Sequence, residues 1–380
     1  MTQANPPTTD RIEDRLAAAT ADLDLASDRE ALVRAAERDS YDGADPDEVD
    51  EALIGVLTAR TERDPAHDDA AARVARWRHA RDVTGTDGPL PEETYRASFV
   101  ESIQTGVEHD LLDERMADYD LDALAAAIVP ERDDEFGYMA VSTLVQRYFL
   151  RTVEDDQPIE LPQSFWMRVA MGVALAEDPE DREARAVEFY EALSTLRFVH
   201  STPTLFHAGT THPQLSSCYL TTVQDDLEDI FDSYKAHANL SKWSGGLGND
   251  WTNVRAEGSL IESTGVESTG VVPFLNISDD VTGAINRSGK RRGAACAYLA
   301  AWHMDFPAFL DLKRNTGDER RRTHDMNTAA WVPDLFMKRL RADEEWTLFS
   351  PDETPDLHEA TGQEFEELYE EYEQAADDGD

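Results

Sequence analysis

Only two side chains in the 380 residues carry a thiol, Cys218 in "QLSSCYL" and Cys296 in "GAACAYL". A thiol does chemistry as a thiolate or as half of a redox dithiol. On a strand it is also a small apolar side chain suited to burial, and both readings are open for either cysteine taken alone. Two cysteines make no disulfide scaffold, and no CxxC or Cys/His spacing suggests structural zinc, which points to a reducing compartment.

Four other stretches carry candidate chemistry. "NRSGKRRGA" (286–294) sets three adjacent cations between glycines, a cradle for phosphate or, in the plainer reading, a solvated basic loop. "SGGLGND" (244–250) and "STGVESTGVVPF" (263–274) read as glycine-rich turns. The first fails as a dinucleotide fingerprint because a helix precedes it and the third glycine is missing, and no GxxxxGK[ST] occurs anywhere. "WHMDF" (302–306) and "THDMN" (323–327) each pair a histidine with an aspartate. Neither has an HxxxH or facial-triad layout, so these histidines are expected to be structural, with no metal site in this chain.

Seventy-nine acidic against 35 basic residues give a net charge of -44, spread along the whole chain. Such a surface repels nucleic acid and anionic membrane, so neither is an expected partner. Lysine occurs only at Lys235, Lys242, Lys290, Lys313 and Lys338; arginine supplies the other 30 cations. The acidity is read as adaptation to a very salty cytoplasm, a haloarchaeal-like setting, where screening acts over about 3 Å at molar salt. No run reaches the roughly 18 apolar residues of a membrane span, and the opening "MTQANPPTTDRIEDR" lacks the blocks of a signal peptide. A cytoplasmic location is the resulting expectation.

These residues need elements to position them. Residues 1–200 read as helices (12–26, 28–38, 46–62, 68–82, 94–118, 137–151, 164–177 and 180–197), the last begun by Asp178 and Pro179 and carrying Ala186, Tyr190 and Leu193 at helical spacing. From about residue 201 glycine becomes frequent and strand-like runs ("SSCYLTTV", "AACAYLAAW", "MNTAAWV") alternate with helix-like ones ("DDLEDIFDSYKAHANLSKW", "DFPAFLDLKRN", "PDLFMKRL"), an α/β texture over 201–380. The apolar face of the first of these helices is read as Leu227, Ile230, Phe231, Tyr234 and Ala238.

In order, "STPTLFHAGT", "QLSSCYL", "SGGLGNDWTNVRAEGS", "GVVPFLNI", "KRRGAACAYLAAWHMDFPAFLDLKRNTG" and "AAWVPDLFMKR" resemble the large (α) subunit of class I ribonucleotide reductase, collinearly over about residues 195–370. The resemblance implies an N-terminal helical domain followed by the first part of a ten-stranded α/β barrel. It implies reduction of ribonucleoside diphosphates at the 2′-carbon by thiyl-radical chemistry. The radical comes from a separate metal-containing β subunit, and thioredoxin or glutaredoxin is the reductant. Carried over residue by residue, Cys218 matches one member of the reducing dithiol; Thr202, Ser217 and Gly246 match substrate contacts, with Arg292 in the basic loop a further one. Asp226, Lys242, Arg255, Glu262 and Ser263 match the site for dNTP or ATP effectors, which in the family lies at a homodimer interface.

Three departures qualify the match. No "KRDG"-like signature of an activity-controlling ATP-cone is recognisable before residue 200. The loop "KRRGA" partly resembles the adenosylcobalamin-dependent class, the alternative enzyme reading. The family's "NLCxE" stretch, with the radical cysteine and catalytic glutamate, does not occur within these residues. The expectation is an N-terminal portion, inactive alone, that needs the C-terminal remainder of the subunit; a non-catalytic nucleotide-binding remnant is the other alternative.

Overall fold

The computed structural model describes residues 8–243, 245–287, 291, 292 and 294–378, with the backbone alone described at 286, 287, 291, 292 and 378. Two compact units result, Met1–Leu215 and Ser216–Asp380.

The first unit is helical: α1 (Thr8–Ala19), α2 (Arg29–Arg38), α3 (Pro46–Thr58), α4 (Ala66–Thr84), α5 (Glu92–Glu108), α6 (Leu121–Ala127), α7 (Tyr138–Thr143), α8 (Pro162–Ala174), α9 (Arg182–Ser194) and α10 (Thr202–His207). Local sequence starts α3 with a capping box. The Asp45 carboxylate accepts the Glu48 amide, the Glu48 carboxylate accepts the Asp45 amide, and Pro46 occupies the first turn. Apolar residues one turn apart, such as Ile12 with Leu16 and Leu53 with Leu57, bury in a core of α1 to α4. Phe99, Phe165, Trp166 and Tyr190 anchor a second core over α5 to α9.

The helix expected over 94–118 stops at Glu108. Asp110 turns left-handed (φ 55), and only a 3-10 turn, Glu114–Asp118, follows. The segment expected over 137–151 is shorter too, α7 running into one π-helical turn at Leu144–Tyr148.

Arg168 on α8 is fully buried. Its Nε donates to Glu160 at 2.8 Å, and Nη1 donates to the carbonyls of Leu205 (3.1 Å) and Ala208 (3.0 Å). One turn further, Gly172 lies so close to Gly209 that a Cβ would sit 2.1 Å from the Gly209 nitrogen. A guanidinium and a missing side chain therefore hold α10 and its following turn against α8.

Asp133 is a buried carboxyl in the same unit, accepting from Tyr95 Oη (2.9 Å) and Gln163 Nε2 (2.8 Å). Burial raises its pKa from 3.8 to about 6, the Arg76 charge and the two hydrogen bonds opposing. Because the folded value is raised, the favourable contribution is complete below about pH 4 and is lost as pH rises through about 6. The stability of Asp133→Asn relative to wild type should therefore improve by about 3 kcal/mol between pH 4 and 7.5, at about 1.4 kcal/mol per pKa unit. Urea melts at both pH values check this; a constant gap would exclude the buried ionisation.

The second unit is α/β. Its strands are β1 (Cys218–Thr222), β2 (Gly246–Asp250), β3 (Glu257–Ile261), β4 (Val266–Thr269), β5 (Asn286–Arg287), β6 (Arg291–Arg292), β7 (Ala295–Ala300) and β8 (Asn327–Trp331). Its helices are α11 (Leu227–Lys242), α12 (Val272–Ala284), α13 (Phe306–Leu310), α14 (Asp334–Ala342) and α15 (Gly362–Asp378). Four strands form one parallel sheet in the order β1-β2-β7-β8, which is also their order along the chain, with the β3–β4 and β5–β6 pairs intervening between β2 and β7. Stepwise addition of parallel strands through helical crossovers is how an α/β barrel is built, and this is a part of one.

Leu247, Ala295, Ala297 and Leu299 point from the sheet into a core completed by Ile230 and Tyr234 of α11 and Leu275 of α12. Leu227 and Phe231, expected on that apolar face, are instead exposed. The larger correction is "SGGLGND": a glycine-rich turn was expected, yet Gly246–Asp250 is an inner strand. Glycine carries no strand propensity, so only pairing on both sides discloses it. No described helix is long and apolar enough to cross a membrane.

Candidate active site and regulatory loops

In a parallel sheet, paired residues share a face and alternate residues change it. The registers Cys218↔Gly246, Leu220↔Gly248 and Gly248↔Cys296 therefore put both cysteines, both glycines and Leu220 on the face opposite the helical core. Cys218 is exposed there, which removes the reading of a buried packing residue. The Ser217 hydroxyl donates to its sulfur at 3.5 Å, and the Gly246 amide donates to the Ser217 carbonyl at 2.7 Å. Ser217, Cys218 and Gly246 thus form one cluster.

Gly248 has a steric reason to be glycine, because a Cβ would lie 2.6 Å from Leu220 Cδ2 and 3.2 Å from Tyr298 Cε2. Leu220, Tyr298, Asp250 and Trp331 surround a hollow of about 380 Å³ beside it. The result is a concave, largely apolar sheet face with a thiol and a hydroxyl at one margin, the general form of a small-molecule site.

Cys296 sits two strands and two residues away from Cys218, a Cα separation of about 12 Å from sheet spacings. A disulfide needs Cα atoms within about 7 Å, so the two cannot pair without rebuilding the sheet. Burial also raises the pKa of the Cys296 thiol.

Thr202 belongs to the first unit, at the start of α10. Its hydroxyl is 3.1 Å from Tyr148 Oη, and the Tyr148 ring stacks on Phe206 with centroids 4.5 Å apart. The Arg292 backbone pairs with Asn286 in the β5–β6 hairpin, but its side chain lies outside the described residues, as do Ser288 to Lys290 and Gly293 of the same loop.

The residues matched to an effector site divide between the two ends of the sheet. Asp226 caps α11, accepting the amides of Glu228 (2.9 Å) and Asp229 (3.1 Å). Arg255, in the loop after β2, donates to Asp225 at 2.7 Å and to the Leu260 carbonyl of β3 at 2.7 Å. The Asp225 hydrogen bond raises the guanidinium's pKa further. Glu262 and Ser263 are exposed in the turn joining β3 to β4. These four share the side where β1 and β2 end. Lys242 does not join them, since α11 separates it from Asp226 by about 24 Å of helix; its ammonium stands 5.0 Å from the Trp243 ring centroid.

Sequence reasoning passed over Asp250 and His358. The imidazole Nε2 lies 2.7 Å from Asp250 Oδ2, on the edge of the same sheet face. The hydrogen bond to Asp250 raises the His358 pKa. Burial disfavours the Asp250 carboxylate, yet hydrogen bonds from His358 and Thr252 still leave its pKa lowered. The partners are 108 residues apart, so no local pattern announces the pair.

Residues 134–213 match the family description "Ribonucleotide reductase, all-alpha domain", and residues 216–379 match "Ribonucleotide reductase, barrel domain". The chain is 47% identical over 369 residues to the ribonucleoside-diphosphate reductase subunit alpha of Chlamydia muridarum, covering 96% of this chain and 35% of that protein. It is 49% identical over 255 residues to the subunit alpha of Helicobacter pylori (67% and 32%). It is 43% identical over 254 residues to the ribonucleoside-diphosphate reductase large subunit of Variola virus (66% and 32%). The chain spans about a third of the length of the curated relatives it matches. With an all-α domain leading into parallel barrel strands and these relatives in common, the chain belongs to the ribonucleotide reductase large-subunit family.

Proposed function

We propose that these residues supply one reducing thiol, substrate contacts and effector loops to a ribonucleoside-diphosphate reductase large subunit. The observation that carries this reading is the exposed Cys218, with the Ser217 hydroxyl beside it, on a sheet face kept open by Gly246 and Gly248. The Cys218 thiol protonates the departing 2′-hydroxyl, which leaves as water. Two electrons from Cys218 and a second cysteine, together with the second thiol's proton, reduce C2′ and form its new C–H bond, and the two sulfurs become a disulfide. Thioredoxin or glutaredoxin restores the dithiol, and a metal-containing β subunit supplies the starting radical. Thr202, Ser217, Gly246 and Arg292 hold the substrate. Asp226, Arg255, Glu262 and Ser263 take the dNTP or ATP effector in a homodimer, while Lys242, at the far end of α11, stands apart from that set.

These residues hold Cys218 but no "NLCxE" stretch, so turnover draws on sequence outside them. Mixed with β subunit, thioredoxin system and CDP, the 380 residues alone should form no dCDP. Adding the missing barrel sequence should restore formation. Nucleotide binding without dCDP in the completed assembly would replace this reading with a non-catalytic one.

The charge of -44 supports a working environment of high salt in a cytoplasm. Melting temperature should rise on the order of 10 °C between 0.05 and 2 M KCl, a few kcal/mol for a chain of this size. Equal melting at both salts would remove the salt-adaptation reading.

A further inference from the structure

The motif "WHMDF" has no part in the function proposed so far, yet it is buried and bonded in a specific way. Asp305 is 6% exposed. Its Oδ1 accepts the Glu257 amide at 3.0 Å, where β3 begins, and its Oδ2 accepts the Val271 amide at 2.9 Å, just after β4. One carboxylate thus closes the base of the β3–β4 hairpin from both sides. Gly270 fits this arrangement, with φ +70 and no room for a side chain. A Cβ there would lie 2.2 Å from Asp305 Oδ2 and 2.7 Å from the Glu257 nitrogen.

His303 stands behind the carboxylate. Its Nε2 lies 2.8 Å from the Val254 carbonyl and must donate, so Nδ1 is the acceptor for the Asp305 amide at 3.0 Å. Val254 adjoins Arg255, so the same pair also fixes the chain where the guanidinium leaves it. Ser350 adds a second tie, its hydroxyl accepting the Ala256 amide at 3.0 Å.

We infer that Asp305, oriented by His303, is a positioning residue: it sets the geometry of the β3–β4 hairpin and, through Arg255, Glu262 and Ser263, the affinity for an effector nucleotide. The nucleotide half rests on the proposed function; the bracket itself does not. A carboxylate suits this task because it accepts two amide N–H groups at once, whereas an asparagine offers one oxygen and one competing donor.

The test is hydrogen–deuterium exchange on the whole chain, paired with dTTP titration by calorimetry. In wild type, the Glu257 and Val271 amides should exchange far more slowly than the Ser263 amide at the hairpin tip; equal rates overturn the bracket. In Asp305→Asn the two amides should speed up about tenfold or more, with Leu247–Asn249 unchanged, as expected for a local opening. Gly270→Ala attacks the same contact from the hairpin side and should behave alike if Asp305→Asn fails to fold. Wild-type protection at both amides in a folded variant overturns the bracket.

The dTTP dissociation constant should rise about tenfold in the loosened variants, within the range of coupled sites. Unchanged affinity in a loosened variant overturns the nucleotide half. Absence of dTTP binding by wild type overturns the effector reading itself, while exchange still decides the bracket.

Discussion

Replacing Cys218 by serine in the completed reductase should lower thioredoxin-dependent CDP reduction by two to four orders of magnitude, the range associated with losing a positioned proton donor. The expectation follows from place as well as type. The sulfur is exposed, it accepts from Ser217, and it faces a sheet surface cleared by two glycines. Serine preserves volume and the backbone contact to Gly246, so CDP binding should change little and the loss should fall on turnover. Cys296→Ser should keep activity within a few-fold, because that sulfur is half-buried and about 12 Å along the sheet. Iodoacetamide should label Cys218 well before Cys296, whose thiol is held protonated by burial. Undiminished turnover by Cys218→Ser with thioredoxin would end the dithiol assignment.

Arg168→Met should destabilise the first unit by about 3–5 kcal/mol, because removing one partner of a buried ion pair strands the other charge. Glu160 is almost fully buried and would be left without its guanidinium partner, and the carbonyls of Leu205 and Ala208 would lose their donor. For a unit of this size the melting temperature should fall by about 10 °C. The double variant Glu160→Gln with Arg168→Met should recover part of the loss, since it removes the orphaned charge but not the orphaned carbonyls. Thermal melts of the three proteins decide it. A single variant within about 1 kcal/mol of wild type would mean that water or relaxation satisfies Glu160, and that the guanidinium does not hold α10.

Much of this was legible in the linear order of residues, and for a physical reason. Helix signals are local: a cap, a proline and apolar residues one turn apart fall within one short window, so α3 could be read directly. The apolar spacing of α9 is legible too, but that helix begins at Arg182 after a turn, with no side-chain cap, and not at Asp178 and Pro179 as expected. Alternation of helix-like and strand-like runs after residue 201 likewise gave the α/β class. Cys218 and Ser217 were found together because they are chain neighbours.

Other features are relations between distant segments. β2 escaped notice because Gly246 and Gly248 erase the alternation that marks a strand, although their lack of side chains is what opens the sheet face. Nothing local distinguishes Arg168 from the other arginines of the helical unit; its role comes from Glu160, Leu205 and Ala208, which close around it. Asp305 lies 48 residues from Glu257 and 34 from Val271, and Asp250 lies 108 from His358. The resemblance of six collinear motifs indicated the family, periodicity the helical-then-α/β order, and composition the scarce thiols. Which thiol is open, why the second cannot pair with it, and which carboxylate brackets the hairpin were settled only when folding brought remote groups within hydrogen-bond reach, because such bonds depend on separation in space and carry no trace in local periodicity.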